Sequence, residues 1–265
     1  MTEQEFSRQI EAIAKKDANK LAVFEKNLLA IVATYSAPLA KKLLEINTNE
    51  RFNLYTGKDP IDINIIAADG SRYMYENPVS DVEKQLESFE KAKSGYKALF
   101  IYGLGNGVLL KGILGNPAHS TTVVFEPEIE IIYIVLHLID FGAEILDSRL
   151  VIFQTDVMEF MHYYTIVELK DVLSCARLYS LYITSPFYDA YHADMSKINE
   201  NITSVFMHRL KVIGNDSTDT LIGINYTTAH IPDMIESIPL KNIIKERAKK
   251  TKTAIIVSTG PSLNK

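Results

Sequence analysis

Residues 98–107 read ALFIYGLGNG, a short apolar run that ends in three alternating glycines, Gly103, Gly105 and Gly107. The apolar run predicts a buried strand, and the periodicity after Gly107 predicts a helix. Glycine accepts positive φ and lets the backbone approach a ligand, while the start of a helix offers unpaired N–H groups. The stretch therefore predicts a strand, a tight glycine turn and a helix, the first unit of a parallel α/β sheet.

The alternation of strand and helix continues downstream of this turn. Apolar strands are predicted at 121–125, 150–153 and 179–183, with helices from Glu128, from Val157 and over 194–213. Strands separated by helices pair in parallel through right-handed crossovers, and the helices then cover both faces of the sheet. We therefore predict an α/β fold, a Rossmann-like and mostly parallel sheet with helices on both faces.

The residues before this sheet have a different pattern. From residue 3 to about 46, apolar residues recur at three- and four-residue steps, which predicts amphipathic helices that are interrupted near Pro38. Over 61–75, apolar and polar residues alternate on both sides of Asp69-Gly70, which predicts a β-hairpin with a tight turn. An N-terminal helical region and a hairpin thus precede the predicted sheet.

The composition excludes several classes of protein. The 265 residues include 28 Lys+Arg and 33 Asp+Glu, a net charge of −5, whereas a dedicated nucleic-acid binder usually carries a basic surface. Cys175 has no partner for a disulfide, the N-terminus has no export signal, and no apolar stretch reaches the ~20 residues of a membrane span. The six histidines show no close-spaced zinc pattern, so no metal site is expected. We predict a cytoplasmic protein without nucleic-acid partners.

Two carboxylates follow the neighbouring strands of the predicted sheet. Glu126 ends the second strand at about the 20-residue spacing from the glycine turn at which an acid can hold a ribose hydroxyl, and Asp156 follows the third strand. With Gly103, Gly105 and Gly107, these residues form a possible ligand site of nucleotide-binding or methyltransferase type. A structural role stays open, because glycines also permit tight turns and strand-end carboxylates often cap helices.

A second glycine turn, STGPSL at 258–263, follows the apolar run 254–257. Its hydroxyl groups, the flexible Gly260 and a proline at a position where a helix can begin suit a phosphate group. A capped strand-to-helix turn without a ligand is the alternative interpretation.

The tracts Gly214-Asn215, 219–223 (DTLIG) and above all 254–263 (AIIVSTGPSL) resemble the motility-associated factor family, bacterial proteins implicated in flagellin glycosylation. The resemblance covers most of the chain; it is strong in the closing motif and looser in the first ninety residues. It implies an N-terminal region with a Rossmann-like domain, followed by a central transferase domain. We accordingly divide the chain into N-terminal helices and hairpin (1–92), a Rossmann-like domain (93–240), and a linker with the first strand of the central domain (241–265).

The family is regarded as transferring nonulosonic acids, such as pseudaminic or legionaminic acid, from a CMP-activated donor to flagellin Ser or Thr hydroxyls. The resemblance implies that Gly260, Pro261 and Ser262, with Thr259 adjacent, belong to the loop that binds the donor nucleotide. It implies no further cofactor and identifies no catalytic residue. We expect the chain to be part of a longer protein and to lack transfer activity by itself, because most of the central domain is absent from it.

Three alternatives stay open at this point. The chain can be a domain that binds flagellin without chemistry of its own, or a methyltransferase-like domain that binds a nucleotide or S-adenosylmethionine at Gly103–Gly107. A relative of the central domain also serves in pterin pyrophosphokinases, so the second turn does not by itself select sugar chemistry. Four tyrosines near Ser185-Pro186, which are Tyr179, Tyr182, Tyr188 and Tyr191, either pack the edge of the sheet or frame a sugar or peptide.

Overall fold

The computed structural model of the chain describes residues 1–34, 37–213, 217–247 and 250. The chain divides into two compact units, Met1–Arg209 and Leu210–Lys265. The strands are β1 (Phe52–Thr56), β2 (Ile63–Ala67), β3 (Ala98–Tyr102), β4 (Thr121–Glu126), β5 (Leu150–Gln154) and β6 (Leu181–Ile183). The helices are α1 (Glu3–Ala14), α2 (Val23–Thr34), α3 (Ala37–Glu45), α4 (Pro78–Lys93), α5 (Val108–Leu114), α6 (Ile129–Leu138), α7 (Gly142–Leu146), α8 (Phe160–Val167), α9 (His192–Ile213), α10 (Ser217–Ala229), α11 (Ile231–Glu236) and α12 (Leu240–Arg247). Short 3-10 helices occupy Ala18–Lys20, Thr155–Val157, Leu173–Leu178 and Pro186–Tyr191.

The main sheet has the strand order β5-β4-β3-β6, and its three pairings are parallel. Every residue of β3 and β4 is buried, as expected for strands covered on both faces. The prediction of a Rossmann-like, mostly parallel sheet flanked by helices is confirmed. The chain runs from β3 outward to β5 and then returns to place β6 on the other side of β3. This reversal makes the carboxyl end of β3 a topological switch point, the place where ligands bind in many open α/β sheets.

The hairpin forms with a different partner from the predicted one. β1 pairs antiparallel with β2, from Phe52 opposite Ala67 to Thr56 opposite Ile63. The predicted second strand around Tyr73 and Tyr75 contributes only a single bridge, between Ile66 and Tyr73. The side chain of Asn64 explains the difference: its Oδ1 accepts from the Tyr75 N–H at 3.1 Å, and its Nδ2 donates to the Tyr75 carbonyl at 2.8 Å. Backbone hydrogen bonds still join the Ala67 N–H to the Arg72 carbonyl at 2.9 Å and the Met74 N–H to the Ile65 carbonyl at 2.8 Å. At Tyr75 the Asn64 amide makes the hydrogen bonds in place of the backbone.

A buried asparagine of α2 forms hydrogen bonds with the sheet region. Asn27 on α2 is fully buried, and its Nδ2 donates to the carbonyls of Leu136 and Ile139, each at 2.8 Å. Its Oδ1 accepts from the Phe141 N–H at 2.7 Å. The amide therefore satisfies the backbone groups at the end of α6 and in the turn to α7, which would otherwise be buried without partners.

Other predicted elements differ in detail. The helical region breaks between α1 and α2, where Asp17 caps the short 3-10 turn. Pro38 lies in the first turn of α3, and residues 35–36, next to the predicted interruption, are outside the described part of the chain. The helix expected from Val157 begins at Phe160, and the tract 218–229, whose pattern fits a strand or a helix, lies in helix α10. Gly214-Asn215 falls outside the described residues. The domain boundaries at 92/93 and 240/241 stay predictions. In the described part of the chain, none of the helices has both the length and the apolar character of a membrane span.

Candidate functional site

The first glycine turn joins β3 to α5 in a conformation that requires glycine. Gly103 has a φ of +86° and Gly105 a φ of +59°, both in the left-handed region. A Cβ on Gly103 would lie 2.1 Å from the ring of Tyr188, and a Cβ on Gly105 would lie 2.4 Å from the Tyr75 hydroxyl. The glycines thus permit a close approach to the backbone of the turn, as the sequence predicts. The groups that approach it are the side chains of Tyr188 and Tyr75.

Glu126 lies at the end of β4 and is fully buried. Its Oε2 accepts from the Leu104 N–H at 2.8 Å and from the Tyr188 hydroxyl at 2.7 Å, while its Oε1 accepts from the Glu128 N–H at 3.0 Å. Burial raises the pKa of Glu126 to about 7, outweighing the three hydrogen bonds that lower it. The carboxylate therefore ties the glycine turn to the start of the next crossover.

Tyr188 forms hydrogen bonds with both the glycine turn and the strand-end carboxylate. Its hydroxyl accepts from the Gly105 N–H at 3.2 Å and donates to Glu126. In dinucleotide-binding sheets, the N–H groups of the turn bind a phosphate and the strand-end acid binds a ribose hydroxyl. One tyrosine makes both kinds of contact here, and its complete burial raises its pKa.

A second group of contacts surrounds this centre. Arg51 pairs with the buried Glu128, with its Nη2 at 2.9 Å from Oε1, and the Tyr191 hydroxyl donates to the same Oε1 at 2.5 Å. Asn106 in the glycine turn donates from Nδ2 to the Ile63 carbonyl at 2.8 Å. Ser185 donates from its hydroxyl to the Met74 carbonyl. The hairpin and the tract 185–191 thus enclose the glycine turn from two sides.

The structure brings together most of the residues predicted at this edge. Gly103, Gly105, Gly107 and Glu126 lie in one cluster, whereas Asp156 lies exposed in the 3-10 turn after β5. Among the described residues, Asp156 forms no hydrogen bond with the glycine turn. Hydrogen bonds within the protein hold this cluster, so its residues have the structural role that the sequence analysis left open. Ligand binding at Gly103, Gly105, Gly107, Glu126 and Asp156 stays a prediction.

The second turn lies outside the described residues. Thr259, Gly260, Pro261 and Ser262 are therefore retained as predicted donor-loop residues.

The sequence did not reveal how Tyr188 is used. The four tyrosines near Ser185-Pro186 were predicted either to pack at the sheet edge or to frame a sugar or peptide, and Tyr188 and Tyr191 pack there. Tyr75 was predicted only as a strand residue, yet its side chain reaches the glycine turn. The signal available in the sequence was the concentration of tyrosines near the predicted end of β6.

Comparisons with known proteins return a distant structural likeness and no match in sequence. No protein-family model matches the chain, and no curated protein matches it in sequence. The structure of a MAf glycosyltransferase from Magnetospirillum magneticum AMB-1 is similar to 69% of this chain and to 35% of that protein's own chain, with 14% sequence identity and a TM-score of 0.46. The chain therefore spans about a third of the length of that protein. A likeness this distant says nothing about activity.

Proposed function

We propose that this chain is the N-terminal module of a bacterial glycosyltransferase related to the motility-associated factors. The complete protein would transfer a nonulosonic acid of the pseudaminic or legionaminic type from a CMP-activated donor to flagellin Ser or Thr hydroxyls. The observation that carries the proposal is the closing motif AIIVSTGPSL at 254–263. Within it, Thr259, Gly260, Pro261 and Ser262 would contact the donor nucleotide. The three-part division at 92/93 and 240/241 and a cytoplasmic location belong to the same proposal.

The geometry of the first glycine turn supports a module that uses no cofactor of its own. A nucleotide or S-adenosylmethionine at this turn would have to displace Tyr188 from both Gly105 and Glu126. Displacement would also leave a buried carboxylate without one of its three donors, which is costly. We infer that the Rossmann-like domain orients or binds flagellin, while transfer takes place in the central domain.

A genetic test addresses the proposed transferase function, separately from the test of the first glycine turn. In the source organism, deletion of the gene should remove the nonulosonic acid from flagellin, measured by mass spectrometry of intact flagellin. Complementation with the wild-type gene should restore it, and complementation with Pro261→Ala together with Ser262→Ala should not. Unchanged flagellin mass in the deletion strain would overturn the proposal.

Calorimetric titration of the 265-residue chain tests the role of the first turn. We expect no binding of NAD or S-adenosylmethionine. Saturable binding of either compound, lost in Gly105→Val, would instead favour a cofactor-dependent enzyme. The chain alone should also transfer no sugar from the CMP-activated donor to purified flagellin.

A further inference from the structure

Helices α10, α11 and α12 leave their apolar side chains uncovered. In the described ranges 218–239 and 241–246, all side chains are exposed. Soluble proteins rarely expose so many large apolar side chains in one short segment, and such a surface marks a place of interaction. The side chains that form this apolar surface, each between 36% and 79% exposed, are Leu221, Ile222, Ile224, Tyr226, Ile231, Met234, Ile235, Ile238, Ile243 and Ile244.

The period of the apolar residues in α11 indicates that a partner covers one side of this helix. Ile231, Met234 and Ile235 are spaced i, i+3 and i+4, which places them on one face. Asp233 and Glu236 lie on the opposite face and are exposed to water. A helix with this pattern normally buries its apolar face, so the exposure of the three apolar side chains leaves the packing of α11 incomplete.

The area of the apolar surface matches that of a stable dimer. Full burial of one large aliphatic side chain covers about 60–120 Å². The ten side chains are more than half exposed on average, so they offer roughly 350–700 Å² of apolar area per copy. A standard interface buries about 800 Å² per partner, of which about 56–65%, or roughly 450–520 Å², is apolar. Two copies of this surface are therefore large enough to cover each other.

The charges of the segment favour a second copy that runs in the opposite direction. Helices α10 and α11 contain three acidic residues and no lysine or arginine, whereas α12 contains three basic residues and one acid. When α11 of one copy lies against α12 of the other about a two-fold axis, helices of opposite charge meet on both sides of the axis. In a parallel arrangement, helices of like charge would meet.

A lipid surface fits the segment less well than a second copy. Anionic headgroups repel the acids of α11. Residues 217–247 also contain no tryptophan or phenylalanine, the residues that usually anchor an amphipathic helix in a membrane interface.

We propose that the apolar surface of α10, α11 and α12 is a homodimer interface, which a second copy of this chain covers in antiparallel orientation. The two-fold axis passes near residues 237–239, between α11 and α12, so that α11 of each copy contacts α12 of the other. The proposal rests on the exposure and charge of residues 217–247 and does not depend on the proposed transferase function.

Sedimentation equilibrium of the 265-residue chain measures the oligomeric state. We expect a dimer of twice 29.8 kDa, with a dissociation constant of about 10 μM or tighter. A monomer at a chain concentration of roughly 100 μM, or aggregates without a defined mass, would overturn the proposal. A monomer that co-sediments with vesicles of anionic phospholipid would overturn it in favour of a lipid surface.

Variants then locate the interface. Ile235 is 79% exposed, so Ile235→Glu should leave the fold of each copy intact and raise the dissociation constant of the dimer roughly thirtyfold or more. Ile244→Glu on α12 should have a similar effect, because both helices take part in the contact. Met161→Glu, at a 66% exposed position on α8, is the matched control and should leave dimerisation unchanged. Unchanged dimerisation in Ile235→Glu and Ile244→Glu would show that the copies associate elsewhere and refute the assignment.

Cysteine cross-linking in a Cys175→Ser background tests the orientation of the copies. Ser237→Cys lies next to the proposed two-fold axis and should form a disulfide between the copies under mild oxidation. Thr218→Cys, at the start of α10, should not, because the antiparallel arrangement separates the two copies of this residue. No disulfide at Ser237→Cys, or equal cross-linking at both positions, would overturn the antiparallel arrangement.

Discussion

Replacing Glu126 by glutamine removes the buried carboxylate that holds the glycine turn, and it keeps the shape of the side chain. The carboxylate is fully buried and accepts from Leu104, Tyr188 and Glu128. Glutamine is neutral at every pH, so Glu126→Gln eliminates the titration of this position. The variant therefore isolates the contribution of one ionisable group to the stability of the fold.

The sign of the effect follows from the direction of the pKa change. Burial raises the pKa of Glu126 from 4.5 to about 7 in the folded chain. Between these pH values the folded chain holds a proton that the unfolded chain has lost. The stability from this proton is fully present below pH 4.5 and is lost as the pH rises through 7. The change in pKa corresponds to about 3 kcal/mol of unfolding free energy.

Urea unfolding of the wild type and of Glu126→Gln at several pH values between about 4.5 and 8 measures this contribution. The wild type minus variant difference in unfolding free energy should fall by about 3 kcal/mol over this range, mostly between pH 5 and 7. A second variant, Glu83→Gln, changes an exposed residue of α4 and should give a flat difference. A flat difference for Glu126→Gln, or one that rises with pH, would refute the assignment of a buried, proton-binding carboxylate.

Three further substitutions test the contacts around the site. Gly105→Val should lower the unfolding free energy by about 1–3 kcal/mol, because of its positive φ and the crowding at its Cβ position; Gly95→Val, where a Cβ meets nothing within 4 Å, is the matched control in urea unfolding. Tyr188→Phe should lower the unfolding free energy by about 2 kcal/mol above pH 7, because the Glu126 carboxylate loses a donor. It should also raise the pKa of Glu126 further, which shifts the curve of stability against pH to higher pH. An unshifted curve would contradict the hydrogen bond. Asn27→Ala should lower the unfolding free energy by about 3 kcal/mol through three lost buried hydrogen bonds, measured by thermal and urea unfolding, and a loss below about 0.5 kcal/mol would contradict its bridging role.

The backbone of the site is predictable from the sequence because its determinants are local. An apolar run followed by alternating glycines indicates a strand, a left-handed turn and a helix, and Gly103–Gly107 adopt that conformation. The alternation of later strands and helices likewise indicates a parallel sheet. Neither inference requires knowledge of which distant residues pack together.

Which side chains contact the glycine turn depends on residues that are distant in sequence, so these contacts were not predictable in the same way. Tyr188 is 62 residues from Glu126 in sequence, and no periodic pattern indicates that its hydroxyl reaches the glycine turn. The hairpin differs for a related reason. Alternation favours a strand at Tyr73 and Tyr75, but the side chain of Asn64 binds the Tyr75 backbone instead. The hydrophobic pattern does not indicate when a side chain will compete for backbone hydrogen bonds in this way.

The amide of Asn27 has a consequence for the order of events during protein synthesis. Its partner Phe141 is 114 residues further along the chain. At about 5–20 residues per second, the ribosome needs about 6–23 s to make this interval. Throughout that time the Asn27 side chain lacks its partners at Leu136, Ile139 and Phe141. α2 therefore cannot complete its native hydrogen bonds before residue 141 has been made.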